Sequence, residues 1–300
     1  MKKYKKFFTY LFLHLMLPFL ASCSGSATDH SQMLREMGNK AVEKIQSLPG
    51  SALRKQSVDF FENYIIDLGW RSFVFGGAPD LHVLLYPYET EHLATAAISQ
   101  FEAPSGSSAL WDCAGVIRPN ANIRAPLFTW DVFAPMAGMA PGMDMDFYNI
   151  NEGSVDIAVF FGDQAAKLNQ ALALVEPYQL TGEERGKYSE HFDQYKSDYR
   201  WELELSEIEF NNETIRGEFV SAVATAFSLV LDAYFTSLER VSVEDNETLI
   251  QGNISGTEEF IEILVDKDPA LEVGRILFED DLEMYFLDSM WRQGYYGEGF

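Results

Sequence analysis

The chain has 300 residues, 47% of them hydrophobic and 14% aromatic, enough apolar material for a substantial core in one large domain or two small ones. Acidic side chains number 46 against 22 basic ones, a net charge of −24, and a surface of that sign repels phosphate backbones and anionic lipid head groups. Composition therefore argues against nucleic acid as a partner and leaves room for a basic protein partner, and with only Cys23 and Cys113 present no disulfide framework supports the fold.

The chain begins with a cationic head, Lys2, Lys3, Lys5 and Lys6, followed by an apolar run over 7–20 that contains His14 and Pro18. That run is shorter than the ~20 residues of a membrane-spanning helix. Head, short apolar core and small-residue end together predict an export signal. It ends Leu20-Ala21-Ser22-Cys23, which resembles the lipobox of bacterial lipoproteins. The resemblance implies cleavage before Cys23, diacylglycerol on its sulfur and an acylated amino terminus. More than one acyl chain makes a stable anchor, because each buried CH2 contributes about 0.8 kcal/mol. The signal takes four lysines and no acid with it, so the mature chain keeps 18 basic against 46 acidic side chains, a charge of −28. Ser24, not Asp, would be second in the mature chain, which in a Gram-negative source implies the outer membrane, with the domain in the periplasm or outside.

Residues 24–31 read as a small polar tether. Met33, Leu34, Met37, Ala41, Val42 and Ile45 recur with helical period, and Pro49-Gly50 stops that helix. Ser51 is placed to cap a second helix through Leu53, Phe60, Phe61, Tyr64, Ile65 and Leu68. From Trp70 the pattern turns to short extended runs: 70–75, a turn at Gly76-Gly77, and 81–86. Leu93, Ala96, Ala97 and Phe101 favour a helix over 89–101. Strands follow at 109–117, 127–133, 145–150 and 155–161, the last after the turn Asn151-Glu152-Gly153. A helix over 163–175 ends at Pro177, and Thr181 with Glu184 forms a capping-box signature for another reaching about Tyr199. Trp201, Leu203 and Leu205 alternate with Glu202 and Glu204, a strand with one solvated face. Phe219, Val223, Phe227, Val230, Tyr234 and Leu238 mark the strongest amphipathic helix. Helices at 258–265 and 270–291 close the chain around Pro269, leaving a Gly- and Tyr-rich tail. The fold class is α/β (α+β): a mostly antiparallel or mixed sheet covered by helices, with a globular domain over 33–241 and a helical extension over 242–300.

Four methionines, Met136, Met139, Met143 and Met145, fall within ten residues in a Pro- and Gly-rich loop. Soft thioethers suit Cu(I), and their spacings resemble the methionine motifs of periplasmic copper-handling proteins; gap-filling in a core is the competing use of the same residues. Asp144, Asp146, Asn149, Asn151 and Glu152 are rich in oxygen but miss the EF-hand order, since Tyr148 and Asn149 stand where an acid and Gly are needed. Cys113 has His82, His92 and His191 as distant candidate bases, and reads as a packed thiol. The acidic run Glu279, Asp280, Asp281, Glu283 and Asp288 reads as a solvated helix face rather than a catalytic pair.

One longer resemblance concerns 115–119 (GVIRP), 125–132 (APLFTWDV) and 145–148 (MDFY), which resemble central strands of the bilin reductases and the red chlorophyll catabolite reductases. Those families are α/β/α sandwiches that hold an open-chain tetrapyrrole between sheet and helices and take electrons from ferredoxin. The resemblance implies that architecture and, as an alternative function, an apolar ligand pocket or a reductase. Central strands under the long helix 218–238 would offer Phe128, Trp130, Phe133 and Tyr148 as pocket lining, with the methionine loop at its edge. The leading expectation is a membrane-anchored acidic lipoprotein that acts as a binding or protein-interaction module, with no catalytic residues and no cofactor assigned. The copper loop and the tetrapyrrole pocket stand as alternatives.

Overall fold

The structure is a computed structural model that describes residues 27–53, 64–67, 80–102, 110–133, 141–150, 155–181, 192 and 194–267. Helix α1 (Ala27–Gln46) leads into strands β1 (Ala52–Leu53) and β2 (Tyr64–Asp67). Strands β3 (Asp80–Glu89), β4 (Leu93–Glu102), β5 (Leu110–Pro119), β6 (Leu127–Phe133) and β7 (Gly142–Tyr148) follow. Helices α2 (Ile157–Phe161) and α3 (Ala165–Val175) then precede β8 (Lys196–Glu204), and α4 (Glu207–Phe210), α5 (Glu213–Leu238) and α6 (Glu247–Lys267) complete the described order. Among the described residues, eight strands form one antiparallel sheet, ordered β1-β3-β4-β5-β6-β7-β8, with β2 sharing the β3 edge with β1. An antiparallel sheet with helices packed on it is the expected fold class.

Alternation sorts the side chains of β4 to β8 into two sets. On the inner face, register aligns Ile98 with Gly115, Gly115 with Trp130, Trp130 with Met145, and Met145 with Trp201. Helices α1, α3 and α5 cover this face, and the core they form with it includes Leu34, Met37, Leu168, Phe219, Phe227 and Tyr234. Helix α5 is its centre. Asn212 caps it by accepting from the backbone N–H groups of Thr214 (3.0 Å) and Ile215 (3.3 Å), and Phe219, Val223, Phe227, Val230 and Leu238 are fully buried along it. Burying each such side chain contributes roughly 1.5–3 kcal/mol, so α5 anchors the layer. Its apolar length would suffice to cross a membrane, yet the same residues are spent on covering the sheet.

Several segments differ from the periodicity reading. Residues 93–101, expected as a helix, form β4; Leu93, Ala96, Ala97 and Ile98 are all buried, so apolar residues on both strand faces erase the alternation that marks a strand. The helix expected from Ser51 to Leu68 is absent in its described parts, because Ala52–Leu53 and Tyr64–Asp67 both pair with β3. The strand expected at 155–161 is instead α2: the Asp156 carboxylate accepts from Ala158 N and Val159 N, and Gly162, at φ 50, ends the turn. Of the helix expected from Thr181 to Tyr199, only the C-terminal end lies in described structure beyond Phe192, and residues from Lys196 onward belong to β8. The strand at 70–75, the turns at Gly76-Gly77 and Asn151-Glu152-Gly153, the helix at 270–291 and Cys23 lie outside the described residues.

Helix α6 lies on the other face of the sheet. It is capped by Asn246, which accepts from Thr248 N and Leu249 N and lies three residues after Val243, itself bridged to Ile123 in the β5–β6 loop. Phe260 packs on Tyr148 of β7 at 5.1 Å, so this helix and α1, α3 and α5 sandwich the sheet.

Candidate functional site

Alternation puts Phe128 and Trp130 on the inner face and Phe133 and Tyr148 on the outer one, so the four aromatics read as one pocket lining are divided by the sheet. Phe128 lies 4.9 Å from Phe147 and 5.3 Å from Tyr234, and Trp130 lies 5.3 Å from Phe227. They are core. Trp130 also occupies the space over Gly115, where a Cβ would come within 2.0 Å of the indole. Met143 and Met145 belong to β7 rather than to a loop, and both are fully buried on the inner face beside Leu203 and Trp201. Their thioethers fill core volume. Met136 and Met139 lie outside the described residues. Cys113 is likewise buried, its thiol pushed up to about 12, chiefly by burial and further by Asp112, which makes it a poor nucleophile.

The outer face carries the unusual chemistry. Register sets Asp131 directly opposite Asp144, and Asp144 directly opposite Glu202, while Asp112 stands diagonal to Asp131 across β5 and β6. Four strands thus contribute a ladder of carboxyl groups. Like charges placed opposite one another destabilise a sheet, so such a ladder is held by protons, by partners or by a cation. Protons account for part of it. Asp112 titrates well above the usual carboxylate range, first because it is buried and then because Asp131 lies beside it and shares a hydrogen bond with it. Glu202 is only 1% exposed, against the expectation that Glu202 and Glu204 form a solvated face.

One step along the strands, Asp146 is 0% exposed and stands between Thr129 and Arg200 in register. The Tyr148 hydroxyl donates to Asp146 Oδ2 at 3.3 Å. Burial, then the charges of Asp146 and Asp144, push the Tyr148 phenol well above its ordinary value, so it remains a donor at every physiological pH. Phe192 and Phe260 pack around its ring at 6.1 and 5.1 Å. Carboxyl oxygens of Asp144, Asp146 and Glu202 lie within 4.8 Å of one another, and these are the residues among those described that could hold a hard cation. The face therefore combines the Tyr148 phenol, a donor, and the Asp112 carboxyl, whose pKa is raised, with neighbouring carboxylate acceptors in a partly buried setting. That combination can bind a ligand rich in N–H groups and pass protons to it.

No family model matches this sequence, and no curated protein matches it. Its fold resembles that of a phytochromobilin synthase. The crystal structure of the tomato protein in complex with biliverdin superposes with a TM-score of 0.60 over 85% of this chain and 83% of that one, at 12% identity. At that identity the likeness to the phytochromobilin synthase establishes the fold and not the activity. It agrees with the bilin reductase architecture implied by 115–119, 125–132 and 145–148, which lie in or beside β5, β6 and β7.

The acid ladder escaped the sequence reading because its members are spread over 90 positions and only register assembles them. A signal was nevertheless present. Asp112, Asp131, Asp144, Asp146 and Glu202 each sit directly between two apolar residues, a pattern that marks an acid on a strand face other than the freely solvated one.

Proposed function

We propose that this chain is a lipid-anchored binding protein for an open-chain tetrapyrrole, held against the outer face of the sheet beside Asp112, Asp131, Asp146 and Tyr148. The observation that carries the reading is the hydrogen-bonded pairing of Asp112, whose carboxyl titrates well above its usual range, with Asp131 on the outer sheet face, in a fold that a biliverdin-bound protein shares. A linear tetrapyrrole is flat and apolar at its edges, and it presents a row of ring nitrogens. Carboxylates accept from such N–H groups, and a carboxylic acid or phenol donates to an unprotonated ring nitrogen. Binding needs no other component. Reduction needs an external electron donor, and the ferredoxin used by bilin reductases would not meet an exported domain, so ligand binding rather than turnover is the activity assigned here.

Titrating the purified full chain with biliverdin, followed by visible absorbance, tests this. The expected result is saturable binding with a red-shifted, strengthened long-wavelength band as the ring system is protonated by the site. Asp131→Asn should weaken binding by about tenfold, since a charge-assisted hydrogen bond contributes roughly 1.5–3 kcal/mol. An unchanged spectrum at all biliverdin concentrations, or equal binding by Asp131→Asn and Asp112→Asn variants, would overturn the assignment.

A further inference from the structure

Between the outer face of the sheet and α6 lies a separate cavity of ≈ 320 Å³ at the β5–β6 end. Most of its lining is apolar, including Leu127, Ile150, Ile250 and Ile254, and Arg118 is its one charged lining residue. Arg118 is 6% exposed, and its Nη2 donates to Thr95 Oγ1 at 3.1 Å, which fixes the guanidinium plane against β4. From the opposite wall comes Asn253, 3% exposed. Its Nδ2 donates to Ala121 O at 2.6 Å, which aims the side chain, while its Oδ1 is buried with no hydrogen-bond partner. Asn122 Oδ1, also in the lining, is in the same condition.

Two buried amide oxygens without donors are costly, at about 1–3 kcal/mol each, and native proteins rarely leave such groups unpaired without a reason. The walls are also stiff. Asn120 Nδ2 donates to Glu91 O (2.9 Å), Glu244 N donates to Asn122 O (2.8 Å), Arg124 pairs with Glu244 (3.1 Å), and Thr257 Oγ1 donates to Asn253 O (2.8 Å). A pre-formed, mostly apolar space with a few convergent polar groups is the ordinary form of a small-molecule site.

We infer that this cavity is a binding site for a small carboxylate that also bears a hydrogen-bond donor: the carboxylate meets Arg118, the donor meets Asn253 Oδ1 or Asn122 Oδ1, and an apolar body fills the space between. In a molecule of net charge −24, a buried guanidinium in the cavity wall supplies N–H donors of the kind that bind a carboxylate. The inference does not depend on the tetrapyrrole reading, although the carboxylate can belong either to a free small acid or to the side chain of a larger ligand that extends from the outer face.

Calorimetric titration of the full chain separates these cases, using N-acetyl-L-valine and its methyl ester as one pair and biliverdin and its dimethyl ester as another. In at least one pair the acid should bind about tenfold or more tightly than the ester, and Arg118→Gln should abolish that preference while Arg118→Lys restores part of it. Ala121→Leu, which narrows the cavity without altering charge, should weaken the same acid while the protein melts normally. Preference in the first pair alone identifies a free acid, and leaves the tetrapyrrole reading to fail by itself; preference in the second alone assigns the carboxylate to the tetrapyrrole. Acid and ester binding equally in both pairs, no binding in either pair, or a preference that survives Arg118→Gln would overturn the inference.

Discussion

His30, in α1, is only 1% exposed and packs against Phe210, their rings meeting edge to face at 5.9 Å. Burial is the main cause that lowers its pKa from 6.5 to about 4; Arg216 nearby pushes the same way, and the Phe133 backbone offsets part of it. The folded state thus binds the proton less readily than the unfolded chain, and stability falls as pH drops from about 6.5 to about 4. Integrated over that window the loss approaches about 3 kcal/mol, and urea denaturation across pH 7 to 4 should show it in the wild type and not in His30→Leu. Asp112 works on the alkaline side. Its pKa is raised, so its contribution is complete below the unfolded value near 3.8 and is lost as pH rises through the folded value. Asp112→Asn keeps a donor toward Asp131 and cannot ionise. The variant should therefore match the wild type in denaturation at pH 3 and exceed it at pH 8; a variant weaker at pH 8 would mean that the charged form is the one the fold favours.

At the scale of elements, α5 is joined to the sheet by more than apolar contact. The Tyr234 hydroxyl, fully buried, donates to Pro126 O at 2.8 Å, just before β6, and its ring lies 5.3 Å from Phe128 and 5.9 Å from Phe147. Tyr234→Phe removes only the donor and leaves a buried carbonyl unpaired, a cost of about 1–3 kcal/mol that a chemical denaturation curve should report with its slope unchanged. This helix was legible in the sequence, because one of its faces is apolar over many turns. Strands β5 and β6 were legible too, as β-rich runs bounded by turns. Strand β4 was not, since burial on both faces removes period-two alternation and leaves Leu93, Ala96, Ala97 and Phe101 at a helical spacing by accident. Helix α2 fails for the opposite reason: Ile157, Val159, Phe160 and Phe161 are strand-forming residues, and the cap at Asp156 with Ala158 opposes that preference. The site followed the same rule. Trp130 and Tyr148 were noticed as aromatics, but the strand register that sends one inward and the other outward is not written in either residue, and the acids of the ladder, Asp112, Asp131, Asp144 and Glu202, come from four different strands.

At the scale of the whole molecule, charge decides how the protein meets a membrane. On the proposed lipid-anchored reading the mature chain would carry −28, anionic head groups would repel such a body, and acyl chains on Cys23 would supply the attraction. Electrostatic adhesion and lipid anchoring respond oppositely to salt: screening releases proteins held by charge, whereas an acylated chain stays while its own repulsion is reduced. The wild-type protein should accordingly remain in the membrane fraction after a wash in high salt and leave it only in detergent. Cys23→Ala should appear in the soluble fraction at every ionic strength, with the uncleaved precursor of the wild type accumulating under globomycin. For a Gram-negative source, the expectation drawn from Ser24 is that a density gradient places the wild type with outer-membrane markers. Retention of Cys23→Ala on membranes would show that another surface makes the contact, and α5 would then be the first segment to test, because it is apolar enough to span a bilayer if it ever left the sheet. That departure would expose the core face of β5, β6 and β7, so a membrane-retained variant should also lose its cooperative unfolding transition.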